Sequence, residues 1–341
     1  MGIPRDRRDA VIAGMRGAVE AAQHLIAPDS TRIDPFEAVV KAGAFLMFQP
    51  LESLFGVYLP KEDIGGDTPG VLVNSKHPLN LQRYTAAHEL GHLWMKHRRS
   101  LDGGSEIGGF DAEDELAALP RSGPSNEPIE IAAEVFAAYF LMPVNRVLPR
   151  INDLGLTSQD LRDPTQVYSL ALSFGVSYRA MVEHLASLKK ISRNAATELK
   201  HRPLKQVKRQ LLGTNASADW HCDVWSLGFG ESGQVLHARV GDEFAIRLPS
   251  HASGGYLWEA SEIDRGFELV AIEQLPDRVA HDMRLARVRL TSSGRHRLLL
   301  TERRPWSSAE PPAVGFDLEV VAQNQPPVGV AAAIRREMTH G

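Results

Sequence analysis

Leu81-Gln82-Arg83-Tyr84-Thr85-Ala86-Ala87-His88-Glu89-Leu90-Gly91-His92-Leu93-Trp94-Met95 contains no proline and has an apolar body, so it predicts one continuous helix. Positions four apart on a helix lie roughly 40° apart around the axis and about 6 Å apart along it, so His88 and His92 can grip one metal ion. Glu89 points about 100° away from His88, beside the metal and not onto it, where its carboxylate can take a proton from an activated water. The pattern predicts a zinc peptidase with Glu89 as catalytic base and His88 and His92 as metal ligands. Gly91 costs on the order of 1 kcal/mol in a helix interior relative to Ala, which predicts a close approach of another segment there.

The chain of 341 residues fits two domains, and 43% hydrophobic with 23% charged residues is the composition of a globular protein. A net charge of −4 excludes a general attraction to nucleic acid. One cysteine, Cys222, excludes an intramolecular disulfide framework and a cysteine-based structural zinc site, and suits a reducing compartment. The opening stretch MGIPRDRRDAVIAGMRGAV carries both charge signs without an apolar core, and Asp6 stands where a myristoylation signal has Ser or Thr. With no run of about 18 apolar residues, the expectation is a cytoplasmic protein without membrane contact.

Residues 10 to 26 show helical apolar spacing. A second helix is predicted from Asp34-Pro35, with Asp as N-cap and Pro in the first turn, to about Ala44. Phe45-Leu46-Met47-Phe48 and Gly70-Val71-Leu72-Val73-Asn74 read as strands of a small sheet. After His97-Arg98-Arg99 a polar, glycine-rich, acidic stretch reads as a long loop, either a lid or a disordered insertion. Pro128 opens a helix whose break is set by Pro143. Residues 165 to 191 read as two helices about the turn Phe174-Gly175-Val176-Ser177, a spacing shared by DNA-binding helix-turn-helix units and by packed helical corners. Between Lys189 and Arg209 eight basic residues face one acid, Glu198, as in a solvated inter-domain helix or a nucleic-acid patch.

A catalytic zinc site has three protein ligands and an open position. The helix after Pro128 offers Glu130 and Glu134, again four apart, so one can bind metal while the other hydrogen-bonds a ligand histidine. An additional oxyanion donor is needed, for which Tyr84, His77 and His97 are candidates by proximity.

The runs RYTAAHELGH, GVLVNS and EIAAEVFAAYFLMP resemble the ImmA/IrrE metallopeptidases over roughly residues 30 to 190. That resemblance implies that Glu130, which opens the helix ending in Leu-Met-Pro, is the third ligand of one Zn2+ per chain. The position four residues later, commonly Asn in the family, is Glu134 here, which would then stand in the second shell. The family cleaves helix-turn-helix transcriptional repressors to switch on mobile-element transfer or stress responses, which implies such a repressor as the protein substrate.

From about Asp219, segments such as Glu243-Phe244-Ala245-Ile246-Arg247-Leu248, Ala286-Arg287-Val288-Arg289-Leu290 and Arg295-His296-Arg297-Leu298-Leu299-Leu300 alternate with period two, a β-sandwich signature. Ser253-Gly254-Gly255-Tyr256-Leu257-Trp258 reads as a glycine turn entering a strand, and Arg304-Pro305-Trp306 as a proline-stiffened loop with an exposed Trp. Together they resemble chagasin-like inhibitors of papain-type cysteine proteases over residues 219 to 323. Where that family has Asn-Pro-Thr-Thr this chain has His251-Ala252-Ser253-Gly254, so recognition of a partner through Gly254, Gly255, Tyr256, Arg304, Pro305 and Trp306 is the expected role.

The expected fold is α+β. It comprises an N-terminal helix (1–28), a zincin-type peptidase domain with a small sheet and a helix-turn-helix-like corner (29–192), a basic linker (193–218), an all-β immunoglobulin-like sandwich (219–325) and a loosely ordered tail (326–341). The leading functional expectation is a zinc endopeptidase that cleaves a regulator. The alternatives are a protease-inhibiting or protein-binding module with a vestigial metal site, and a DNA-binding regulator.

Overall fold

The computed structural model describes residues 5–27, 32–97, 128–213, 222–274, 283–306, 314–323 and 329–330. The chain divides into two compact units, Met1–His201 with Gln325–Gly341, and Arg202–Asn324. The predicted loop after Arg99 lies outside the described residues.

The first unit opens with helix α1 (Arg5–Leu25) and α2 (Pro35–Lys41). Asp34 caps α2 by accepting from the backbone N–H groups of Phe36 (2.9 Å) and Glu37 (3.4 Å), as its position before Pro35 predicts. Strand β1 (Phe45–Gln49) alternates as a half-buried strand must, with Leu46 and Phe48 inward and Phe45, Met47 and Gln49 outward. It runs parallel to β3 (Gly70–Asn74), which pairs antiparallel with β2 (Gly56–Leu59). The expected loose tail contributes to this sheet: Gly329–Val330 pairs antiparallel with Phe48 and Met47 of β1. The sheet order is therefore Gly329–Val330, β1, β3, β2, with β2 at one edge.

A one-turn helix α3 (Lys61–Ile64) precedes β3, and α4 (Leu79–Trp94) follows it. Helix α4 is buried nearly all round, including Leu81, Thr85, Ala86, Ala87, Leu90 and Gly91, because α1, α2, α5 (Pro128–Leu141), β2 and β3 surround it. Helices α6 (Val144–Asp153), α7 (Pro164–Phe174), α8 (Tyr178–Ser187) and α9 (Arg193–Lys200) complete the unit. The stretch Pro128–Asp153 is long and apolar enough, by composition, to cross a membrane. It is broken at Pro143 into α5 and α6, and α5 packs on α1 and α4, as the core helix of a globular domain does.

The helix-turn-helix-like corner forms at the predicted place, with Gly175 left-handed (φ 64°) at the end of α7 and Ser177 capping α8 through Ala180 N–H. Tyr178, Ala180, Met181, Val182, His184 and Leu185 of α8 are buried.

The described part of the stretch expected as a basic linker, residues 193–213, is largely helical. It contains α9 and, in the second unit, α10 (Leu204–Leu212). Lys208 turns inward, 4% exposed, and donates to the Cys222 carbonyl at 2.8 Å, so this cation anchors a helix.

Among the described residues the second unit holds two four-stranded sheets. One orders β5 (Val235–Arg239), β11 (Val314–Gln323), β10 (Gly294–Arg303) and β7 (Leu257–Ile263). The other orders β4 (Val224–Gly228), β6 (Glu243–Pro249), β9 (Met283–Leu290) and β8 (Phe267–Gln274). The period-two pattern sets the core: Phe244, Ile246 and Leu248 of β6, Ala286, Val288 and Leu290 of β9, Leu298 and Leu300 of β10, and Phe316, Leu318 and Val320 of β11 are all buried. Asp242 ties the turn before β6 together, its carboxylate accepting from Asp223 N–H (2.9 Å), Arg239 N–H (2.9 Å) and Trp225 Nε1–H (3.1 Å).

Candidate metal centre

The site is built where α4 crosses α5. A Cβ on Gly91 would stand 3.0 to 3.2 Å from atoms of Phe136, so glycine lets the fully buried Phe136 ring lie against the helix between the two histidines. A second glycine, Gly56 of β2, lets the edge strand lie on α4, since a Cβ there would run into Thr85 and the Leu72 carbonyl and stand 3.5 Å from Glu89 Oε1.

These contacts bring His88, His92 and Glu130 together. Nε2 of His88 and Nε2 of His92 are 3.0 Å apart, and Glu130 Oε2 lies 3.3 Å from the first and 3.5 Å from the second. All three are buried, at 4%, 1% and 4% exposure. With Zn–N and Zn–O bonds of about 2.0–2.2 Å, the donor–donor edges of a tetrahedral zinc site are about 3.3–3.6 Å. The two edges to Glu130 fall in that range and the His88–His92 edge is about 0.3 Å shorter, so the triangle is close to the size one zinc ion needs, and its two-imidazole, one-carboxylate chemistry suits it. Among the described residues this is the group able to hold a metal, and it consists of these three side chains. Glu134, one turn further along α5, is half-buried and outside the group.

Glu89 is 2% exposed and sits beside β2. Of the three candidate oxyanion donors, Tyr84 lies one turn before His88 with ring centroids 6.5 Å apart. His77 stacks on Phe55 at 4.9 Å with Nε2 3.4 Å from Asn74 Nδ2, and burial lowers its pKa. His97 differs from the expectation: its Nδ1 lies 3.0 Å from Nδ1 of His92, the ring nitrogen on the far side from the donor cluster. Burial, with a contribution from His92, pushes His97 down to about 4.

Sequence reasoning missed Arg83. It is 3% exposed and donates through Nε to the Gly175 carbonyl (3.1 Å) and through Nη2 to the Ile33 carbonyl (2.5 Å). An Arg within the predicted continuous helix, five residues before His88, was the available signal.

In the second unit Arg304 lies over the Tyr256 ring, 4.6 Å from its centroid, and donates through Nε to the Gly254 carbonyl at 3.2 Å. Trp306 lies against Gly255 and is 73% exposed. The two loops thus share one end of the unit. The His251 backbone N–H (2.7 Å) and Nδ1 (2.6 Å) meet the fully buried Glu302 carboxylate, which holds the first loop to β10.

Residues 42–186 match peptidase family M78, described as the IrrE N-terminal-like domain, and residues 237–320 match the chagasin family of peptidase inhibitors, I42. One stretch of the chain is thus similar to the IrrE-like peptidase family and another to the chagasin family. The donor cluster lies within the IrrE-like domain, and Gly254 to Tyr256 with Arg304 to Trp306 lie within the chagasin-like domain. No curated protein matches the chain. Solved structures similar to part of it include three chagasin-like or related proteins. The cysteine protease inhibitor EhICP2 from Entamoeba histolytica is 23% identical, with 31% of this chain and 100% of that chain covered and a TM-score of 0.28. Amebosin is 20% identical (30% and 98% covered, TM-score 0.25). PbICP-C, solved in complex with falcipain-2, is 15% identical (33% and 96% covered, TM-score 0.22). At these scores the likeness adds nothing to the family match.

Proposed function

We propose that this chain is a cytoplasmic zinc endopeptidase that cleaves a helix-turn-helix transcriptional repressor in a stress or mobile-element response, and that its chagasin-like domain engages a protein partner or substrate. The observation that carries the peptidase reading is the triangle of His88 Nε2, His92 Nε2 and Glu130 Oε2, with Glu89 buried beside it. The match of residues 42–186 to a peptidase family supports it.

His88, His92 and Glu130 would hold the zinc, which when bound supplies Lewis acidity toward a scissile carbonyl and lowers the pKa of water. Glu89 takes the proton of the attacking water and passes it to the departing amine. Tyr84, whose ring centroid is 6.5 Å from that of His88, would donate to the carbonyl oxygen as charge develops there. Strand β2, last in its sheet among the described residues, lies beside Glu89.

The test is metal analysis of the full chain, followed by incubation with a panel of helix-turn-helix repressors. We expect one zinc per chain, chelator-sensitive cleavage, and a Glu89→Gln variant that keeps zinc but is slower by about 10²- to 10⁴-fold. A metal-free protein, or cleavage retained by Glu89→Gln, defeats the reading.

A second reading, protein capture by the chagasin-like domain alone, is favoured by the exposed Trp306 braced beside Gly255. Tight papain inhibition lost in Trp306→Ala would support it, and papain unaffected by the full chain would remove it.

A further inference from the structure

His97 touches the donor cluster from behind, and we propose that it is a positioning residue that fixes the tautomer and orientation of His92 as a metal ligand. The proposal rests on the zinc reading above. An imidazole that gives a lone pair to a metal through one nitrogen carries its proton on the other. Nε2 of His92 is the atom facing His88 and Glu130, so a ligating His92 is protonated at Nδ1. Nδ1 of His97 stands 3.0 Å from that proton's nitrogen and must accept it. His97 is then neutral, with its own proton on Nε2. If His97 Nδ1 donated instead, the His92 proton would sit on Nε2 and block the metal. Donation from His92 to His97 is thus the one direction compatible with ligation.

The backbone is arranged for this contact. Helix α4 ends in a Schellman motif: His97 N–H donates to the His92 carbonyl at 2.9 Å and Lys96 N–H to the Leu93 carbonyl at 3.2 Å. Lys96 adopts φ 55°, a left-handed conformation that costs a residue with a Cβ roughly 1 kcal/mol and that Gly would adopt more easily. The chain turns back sharply there and brings the His97 ring to 5.1 Å from the His92 ring at 69°. The same two residues are therefore joined twice, once by backbone and once by ring, which leaves His92 little rotational freedom. The usual partner of a ligand histidine is a carboxylate, a carbonyl or a water. A neutral imidazole in that place orients the ligand without adding negative charge, so Glu130 remains the one anionic donor and the site stays more electrophilic.

The experiment measures zinc affinity of the full-length chain by chelator competition, so it does not depend on turnover. His97→Leu should bind zinc about 10- to 100-fold more weakly, the loss usual for removing such a partner. His97→Asn places a carbonyl oxygen near the position of the lost nitrogen and should restore most of that affinity. Lys96→Gly, which leaves both rings in place, should bind like wild type. In the zinc-loaded wild type, nitrogen-15 spectra should show His92 protonated at Nδ1 and His97 at Nε2. Equal zinc affinity in His97→Leu and wild type overturns the proposal, as does His97→Asn binding no better than His97→Leu. If His97→Leu does not fold, the wild-type nitrogen signals decide, and a proton on Nδ1 of His97 overturns it. A wild-type chain that takes up no zinc defeats the peptidase reading instead.

Discussion

Arg83 and Gly175, 92 positions apart in sequence, are joined by a 3.1 Å hydrogen bond that ties the metal-site helix to the turn of the helical corner. The guanidinium is buried, and burial lowers its pKa to about 10, so it remains charged at neutral pH. Two main-chain carbonyls, those of Gly175 and Ile33, satisfy it in place of a carboxylate. Arg83→Leu leaves both carbonyls without that donor and should destabilise the protein by about 2–4 kcal/mol. Urea unfolding measures this, and a change within about 0.5 kcal/mol would mean that the bonds stabilise nothing.

The triangle of donors sets an order of zinc affinities. Glu130→Ala removes one of three ligands and should weaken zinc binding by more than the roughly 10- to 100-fold typical of an outer partner, whereas Glu134→Ala should stay within that range. Chelator competition on both variants gives the order, and a reversed order would make Glu134 the ligand.

His184 makes stability depend on pH. It is buried, packs edge-on to Tyr139 with ring centroids 4.9 Å apart, and hydrogen-bonds the Met142 backbone. Burial lowers its pKa to about 4, while in the unfolded chain it titrates near 6.5. As pH falls below about 6.5 the unfolded state takes up a proton that the folded state refuses, so stability declines until about pH 4, by up to about 3 kcal/mol. His184→Phe should remove that component. Unfolding free energies of both chains from pH 7 to 4 test this, and parallel curves would show that His184 is not its source.

Asp242 serves the second unit as Arg83 serves the first. Burial, with the nearby Asp223, pushes its pKa upward, yet it accepts three N–H groups that Asp242→Ala would leave without their acceptor. At about 1–3 kcal/mol for each buried donor left without a partner, the loss should be at least about 3 kcal/mol in thermal or urea unfolding of the full chain. A Trp225 fluorescence transition unmoved by the substitution would contradict it.

Much of the fold was legible because helical and strand periodicity are local properties of the backbone. The period-two runs of the second unit became β6, β9 and β10, and Asp34-Pro35 and Pro128 mark helix starts where their chemistry requires. Strand β2 was missed because Gly-Val-Tyr-Leu is buried throughout apart from Leu59 and shows no alternation. The short strand at Gly329–Val330 was missed because its pairing with β1 depends on residues far away in sequence.

The sequence by itself determined that His88, Glu89 and His92 share one helix and that a carboxylate from the helix after Pro128 is within reach of completing a site. These follow from the 3.6-residue turn, which fixes the direction of every side chain on a given helix. The tertiary structure alone decided that Glu130 joins the histidine nitrogens in one cluster, that His97 faces the back of His92, and that Gly56 brings strand β2 to Glu89. Those outcomes depend on how α4, α5 and β2 cross. The crossing is set by the close fit of Phe136 against Gly91 and of Thr85 against Gly56, between partners 45 and 29 positions apart, where no local periodicity reaches.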